Sequence, residues 1–585
     1  MIINFKNLKK EYFFFLGFSF FIIVFSNYLL FPVDAHYYVA NLETAPNSIS
    51  KSIYNIIRAP LYTFYGLFYN SYVLYFFASI AHLGLFLILF YRSLLKTNNS
   101  KFFSFVILLF FSPLTFSILI FLANHEYFEY FKPILLALSK LGPFHFGWST
   151  QGFTPRLFSG ILLIVIFNYL IRSKYKKGGV FSIILFLCHP NNAVAIISWF
   201  SLFLIIKYLF NKVSLKRIFN FFLLSFLGFV ISFVLIYTKS QILEGTNDFY
   251  SLEWYLDSYH INAPNFSALY YVISEPFIIF FRIAIVLLIS LFSYKYLKSK
   301  YVFDLFILSI IPVFMFFITL LIEFLISKEV LEFNLLNRFI VSGQFGLKIL
   351  ELSFFPILLI IGVWAKNKIN FVPIKFISNY FIFISIIIPC IIISNFTYFQ
   401  SHIKGLYYNY NYNILLEKTS NKHGNQMLLP IKTSKSETDF IYMNKFSEFN
   451  DFIDLKSKIL SYVPKGSLII VPPYQDKFRD LLIDYEIFYQ DVPDASLFLG
   501  GGNSSQILKD RFELLFDKNF KDFKTYGSGL YWTDLRNEFI NLDNDAFIRI
   551  KRKTNKNKIY LITESNIFYD FNLIFSNKAY SLFEF

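Results

Sequence analysis

The chain carries about eleven apolar stretches, mostly about 15 to 25 residues long, and then from about Phe396 a polar tail that has none. Apolar runs of that length match the hydrocarbon thickness of a bilayer. A backbone crossing that layer must satisfy its own N–H and C=O groups, which makes each run a helix. The fold expected is therefore an all-α polytopic membrane domain of about eleven spans, with a small C-terminal α/β domain outside the bilayer. The boundaries read as 1–395 for the membrane domain, 396–447 for a linker and 448–585 for the soluble domain.

Composition agrees with this reading, since 56% of the 585 residues are hydrophobic and the mean hydropathy is +0.52. Those values exclude an ordinary soluble protein. The 81 Phe and 41 Tyr supply rings for lipid-facing and interfacial positions. Cys188 and Cys390 both fall in apolar segments and provide neither a disulfide framework nor a thiolate metal site. The apolar run after the short basic start, from about Tyr12 to Phe31, is longer than the core of a signal peptide and lacks a small-residue cleavage site, so it reads as a retained first span.

A formal charge of +16 would suggest nucleic acid if it were concentrated on a polar domain. Here it lies between spans. With apolar segments at 12–31, 72–91, 102–123, 157–171, 179–188, 191–206, 218–237, 277–293, 302–326, 346–365 and 373–395, alternate connections are rich in Lys and Arg. They include Lys6, Lys9 and Lys10; Arg92, Lys96 and Lys101; Arg172, Lys174, Lys176 and Lys177; Lys207, Lys212, Lys216 and Arg217; and Lys295, Lys298 and Lys300. The other connections hold acids such as Asp34, Glu43, Glu126, Glu129, Glu244, Asp257 and Glu329. The positive-inside rule then places the N-terminus in the cytoplasm and the acid-bearing loops outside, and an odd number of segments exports the tail. Nucleic acid is not an expected partner.

Residues 179–206 decide the parity. They are long for one helix and short for two full ones, with Cys188-His189-Pro190-Asn191-Asn192 in the middle. Basic clusters flank both ends, which predicts two short helices meeting at His189-Pro190, like a re-entrant hairpin. The alternative is a single kinked span, which leaves the tail in the cytoplasm.

Polar chemistry collects in the loops opposite the basic clusters. Asp34 and His36, directly after the first span, can act as a general base and its orienting partner, or help hold a divalent cation; an interfacial turn is the alternative. Residues 49–68 space apolar groups around Lys51 and Arg58, as in a surface-lying amphipathic helix. The next such loop contains Glu126 and ends in Thr154-Pro155-Arg156-Leu157-Phe158. There Pro155 suits the first helical turn and Arg156 stands beside free helical amides, a combination that suits phosphate. Arg338, after Asn337, is a second cation of this kind. Snorkelling to lipid headgroups is the alternative for both arginines.

In the tail, residues 451–461 read as a helix, 467–471 as a short buried strand ended by Pro472-Pro473, and 476–483 as a helix. A strand at 487–489, a helix at 505–516 and closing strands at 558–562, 572–575 and 579–583 follow. Gly500-Gly501-Gly502 lacks the spacing of a nucleotide-binding loop.

Together these features resemble the GT-C class of membrane glycosyltransferases. Val33-Asp34-Ala35-His36-Tyr37 is similar to the Asp-Glu-x-His/Arg-aromatic stretch that opens the first exterior loop of protein O-mannosyltransferases and aminoarabinose transferases, although the Glu is absent and the His is one residue closer. Thr154-Pro155-Arg156 with His189-Pro190 also resembles a group of bacterial multi-spanning proteins bearing Thr-Pro-Arg-aromatic and His-Pro motifs, a likeness that brings no activity with it. The GT-C resemblance implies a polyprenyl-phosphate-linked sugar donor, a glycan, lipid or protein acceptor, and an extracytoplasmic site in the plasma membrane. It implies Asp34 as base with His36, Glu126 as a second acid or cation ligand, and Arg156, His189 and Arg338 around the phosphate. No cofactor follows beyond the allowed divalent cation. A transporter or flippase of lipid-linked saccharides, or a non-catalytic envelope assembly subunit, remains the alternative.

Overall fold

The computed structural model describes residues 5–25, 72–110, 126–135, 155–244, 276–297, 301–331, 345–368, 446–472, 485–487, 513–518, 537–554 and 558–585, apart from a few single positions. The chain divides into two compact units, a helical one and one that contains the C-terminal sheet.

The helical unit contains α1 (Phe5–Phe25), α2 (Tyr72–Asn98) from Phe76 on, α3 (Lys101–Phe110), α4 (Pro155–Ile171), α5 (Tyr175–Cys188), α6 (Pro190–Leu209) and α7 (Leu215–Glu244) up to Val234. It continues with α8 (Pro276–Tyr296), α9 (Val302–Ser327), α10 (Phe345–Leu352) and α11 (Phe354–Lys368). Six stretches among the described residues are long and apolar enough to cross a membrane. The apolar run predicted at 346–365 is broken at Ser353, whose hydroxyl donates to the Leu350 carbonyl at 2.5 Å. The run predicted at 373–395, the linker at 396–447 and the surface helix at 49–68 lie outside the described residues.

Side-chain pairs fix the direction of each helix. Ring contacts Phe15–Tyr91 and Phe20–Phe76 make α1 and α2 antiparallel. His82 against Phe158 and Asn168 Nδ2 donating to Ser93 Oγ make α2 and α4 parallel. A tight turn with Ser173 at φ 58° reverses the chain into α5. Helix α5 then runs parallel to α7: Ser182 and Ser225 share a hydrogen bond, Ser232 donates to the Phe186 carbonyl, and the Phe186 ring meets Phe229.

That last pairing settles the segment around His189. Helix α6 ends only five residues before α7 begins, and five residues reach about 18 Å at full extension. A continuation of α5 by the 20-residue α6 would leave the end of α6 about 50 Å from the start of α7. So α6 must return, and α5 and α6 form a hairpin with its apex at His189-Pro190, as the flanking basic clusters imply. Pro190 occupies the first turn of α6, where its missing N–H costs nothing, and His189 is the N-cap. At 14 residues, α5 is about 21 Å long and too short to cross a bilayer core unaided.

Lys207 bonded to Asp304 and Trp199 Nε1 donating to the Leu308 carbonyl make α9 antiparallel to α6. The Ser290–Ser309 bond and the Tyr294–Phe306 stack make α8 antiparallel to α9. With these directions, Arg92, Lys96, Lys101, Arg172, Lys174, Lys176, Lys177, Lys207, Lys216, Arg217 and Lys295 fall at one end of the helical unit. Among the described residues, these basic clusters share one end in three dimensions.

The second unit holds α12 (Phe446–Tyr462), β1 (Leu468–Ile470), β2 (Glu486–Ile487), α13 (Asn544–Thr554), β3 (Ile559–Glu564), β4 (Asn572–Ser576) and β5 (Tyr580–Glu584). The sheet order is β2-β1-β3-β5-β4, with β1 parallel to both β2 and β3, and β5 antiparallel to β3 and β4. Alternate residues of β3 feed two cores. Ile559 and Leu561 pack with Phe547 and Ile550 of α13, while Tyr560 and Ile562 pack with Leu455 and Ile459 of α12. The strands predicted at 467–471, 572–575 and 579–583 are present, and the turn at 464–466 has Gly466 at φ 77°. The predicted helix at 476–483 lies outside the described residues.

The α5–α7 contact uses small residues. A Cβ on Gly228 would stand 2.9 Å from the Ile183 Cα, whereas one on Gly17 of α1 would meet nothing within 4 Å. Small-residue interfaces let backbones approach in lipid, and forcing bulk into one costs about 1–3 kcal/mol. Gly228→Leu is therefore expected to lower the melting temperature of the purified protein by several degrees, while Gly17→Leu leaves it within about 1 °C. Equal melting of the two variants in detergent would contradict the close helix contact.

Candidate functional site

The two motifs singled out along the sequence meet in space. Asn192 lies in the first turn of α6 and its Nδ2 donates to Ser159 Oγ at 2.6 Å; Ser159, in the second turn of α4, is fully buried, as is Asn192. Asn192 is also held from behind, because its backbone N–H donates to His189 Nδ1 at 3.3 Å. The imidazole thus caps its own helix and presents Nδ1 as an acceptor, which puts any ring proton on Nε2. Beside Ser159, Phe158 packs its ring 5.7 Å from that of His82 on α2.

The consequence is electrostatic. Helices α4 and α6 both begin with proline, both run toward the basic end, and the Asn192–Ser159 bond holds their N-termini together. Each N-terminus carries a partial positive charge of roughly half a unit. Arg156 is the second residue of α4. Its side chain lies outside the described residues, but its Cα stands one turn ahead of Ser159 on the same helix. Two convergent helix starts with an arginine on the first turn form a region suited to an anion.

The other predicted site residues are placed as follows. Asp34, His36 and Arg338 lie outside the described residues. Glu126 opens a 3₁₀ helix, Glu126–Phe131, and its side chain is likewise outside them. His189 and the start of α4 are the predicted elements that the structure brings together. No group of three potential metal ligands occurs among the described residues.

A second polar layer escaped the sequence reading. Arg282 on α8 and Glu351 on α10 are fully buried, with Arg282 Nη2 3.7 Å from Glu351 Oε1. The guanidinium carbon sits 5.3 Å from the centre of the Phe354 ring. Lys348, one turn before Glu351, and Glu323 on α9 are also buried. Helix α10 packs against α6 and α9. Arg282 lies twelve residues above Tyr294, which stacks at the level of Phe306 just above Asp304; Asn192 lies fifteen residues above Lys207, the partner of Asp304. At 1.5 Å per residue the Cα atoms of both lie about 20 Å along their own helices from the basic ends, while Phe355, next to the Phe354 ring under Arg282, meets Phe90 and Phe167. The signal in the sequence was a lone arginine at 282 and the Lys348/Glu351 pair inside otherwise apolar runs, and ionisable groups buried within such runs mark functional paths.

Compared with protein-family models and with curated proteins, the sequence matches none.

The Arg282–Glu351 pair generates a prediction with a sign. Removing one charge leaves the other desolvated and costs about 3–5 kcal/mol, whereas an apolar pair of similar volume is close to neutral. Glu351→Leu alone is expected to destabilise the purified protein strongly, and adding Arg282→Met to restore most of the loss. Additive losses in this double-mutant cycle would show that the two groups do not interact.

Proposed function

We propose that the chain is a membrane glycosyltransferase of GT-C-like architecture that takes its sugar from a polyprenyl-phosphate carrier at the extracytoplasmic face of the plasma membrane. The observation that carries this reading is the Asn192–Ser159 hydrogen bond, which gathers two helix N-termini next to Arg156 at the end away from the basic residues. By the positive-inside rule the basic end is cytoplasmic, as is the N-terminus, and the helix-start region faces outward. About eleven spans then export the domain at 448–585.

The chemistry follows from charge. An acceptor hydroxyl loses its proton to Asp34, oriented by His36, and its oxygen attacks the anomeric carbon. The bond from that carbon to the phosphate oxygen breaks, and the carrier phosphate leaves with the electron pair. Negative charge grows on the leaving oxygen in a poorly solvated place. Helix N-termini, Arg156, Arg338 and the His189 region stabilise it there, an effect worth several kcal/mol for fixed donors in a dry site. Glu126 stands as a second acid or as a ligand for a divalent cation. The donor is a lipid-linked sugar and the acceptor a glycan, lipid or protein.

A transporter of lipid-linked saccharides is the second reading, favoured by the buried Arg282–Glu351 pair within apolar helices. It requires no base at Asp34. Purified protein incubated with labelled polyprenyl-phosphate sugars and candidate acceptors is expected to transfer label. Asp34→Asn and Arg156→Ala should each reduce turnover by about 10²–10³-fold while the protein melts as wild type. Undiminished turnover in both variants refutes these roles, and carrier movement across vesicles without any transfer favours the transporter.

A further inference from the structure

Helix α13 was not legible in the sequence and has no place in the proposed reaction. Its inner face is fixed: Ala546, Phe547 and Ile550 are buried, and Phe547 packs against the rings of Tyr569, Phe571 and Phe585. Its outer face has a different chemistry. Ile548 is 44% exposed, and Arg552, four residues on, lies on the same side, flanked by Lys551; Lys553 is exposed in the last turn. Residues 551–558 contain five cations and no acid.

Neighbouring cations are largely neutralised locally. Lys518 pairs with Glu538, Arg549 Nη1 lies 3.8 Å from Asp517, and Lys558 Nζ lies 2.6 Å from Glu584. Among the described residues, no ion pair reaches Arg552 or Lys553. One cation in the last turn suffices to complement the helix dipole. Arg552 beside an exposed isoleucine, with Lys551 on its flank over the edge of the Phe585 ring and Lys553 further round the last turn, goes beyond that need.

We propose that the outward face of α13 docks the C-terminal unit onto anionic phospholipid headgroups. The charge complementarity is direct, since each Lys or Arg near such a surface gains attraction that decays within a Debye length. The isoleucine supplies what a purely electrostatic partner would not need, an apolar group able to enter the boundary between headgroups and acyl chains. Covalent linkage to apolar spanning helices keeps α13 near a bilayer, so lipid is the polyanion at highest local concentration. The inference is independent of the glycosyltransferase reading.

The test uses the full chain in lipid nanodiscs of pure phosphatidylcholine or with about 30 mol% phosphatidylglycerol, read by amide hydrogen exchange. Amides of α13 are expected to exchange at least about fivefold more slowly in the anionic discs. The protection should vanish in about 0.5 M salt and in K551Q/R552Q/K553Q, while K551R/K553R keeps it and exchange in β3 and β5 is unchanged. Equal exchange in both discs, protection that survives the triple substitution, or protection conferred in neutral discs by inorganic phosphate alone would each overturn the proposal. If the triple variant disturbs β3 or β5, the salt response of the wild-type chain decides between the same outcomes.

Discussion

A backbone in hydrocarbon has no water to turn to, so a break in a spanning helix survives only where nearby groups accept or donate in its place. In this chain the break is at His189-Pro190, and the groups are at hand. Proline removes one donor, the His189 ring takes the Asn192 N–H, and the Asn192 side chain donates to Ser159. Because these partners are satisfied locally, α5 can stop short and α6 can turn back. The reversal in turn keeps the described lysine-rich connections at one end and leaves the two proline-started helices converging away from it.

Small residues make the same reversal possible from the far side of α5. Gly179, Ser182, Ser225 and Gly228 let α5 and α7 approach closely enough for serine to bond serine across the interface. Lipid gives no hydrophobic drive for helices to associate, so close packing and hydrogen bonds have to supply it. Trp199 bonding to the Leu308 carbonyl and Lys207 to Asp304 continue the pattern between α6 and α9. The buried Arg282–Glu351 pair differs in kind. An apolar pair would hold α8 to α10 at less desolvation cost, so the presence of buried charges within apolar helices points to use rather than to stability.

Much of the helical architecture was legible in the sequence because bilayer thickness and charge asymmetry leave strong one-dimensional traces. The runs at 72–91, 157–171, 218–237, 277–293 and 302–326 all correspond to helices, and the hairpin at 189–190 was legible from basic clusters on both flanks. The pairing of Asn192 with Ser159 was not, since nothing in spacing links residues 33 apart across two helices. Arg282 and Glu351 were passed over because a single charge hardly alters the apolar average of a long run. Helix α13 was missed for the opposite reason: only three of its residues are buried, and its dense charge hides the period. Strands β1, β3, β4 and β5 were readable from short apolar runs bounded by turns, whereas their order was not, because order is a property of pairing. Asp34, His36 and Arg338 rest on the sequence alone, and Glu126 and Arg156 add to it only their place on a helix.

The central claim is that the chain reverses at His189-Pro190, so that both ends of the α5–α6 hairpin face one side and its apex points toward the other. Single cysteines at Lys174, Asn191 and Asn211, in a background lacking Cys188 and Cys390, can be labelled in intact cells with a membrane-impermeant maleimide. The account predicts labelling at 191 from outside, with 174 and 211 labelled only after permeabilisation. Labelling of 174 and 211 from opposite sides would contradict it.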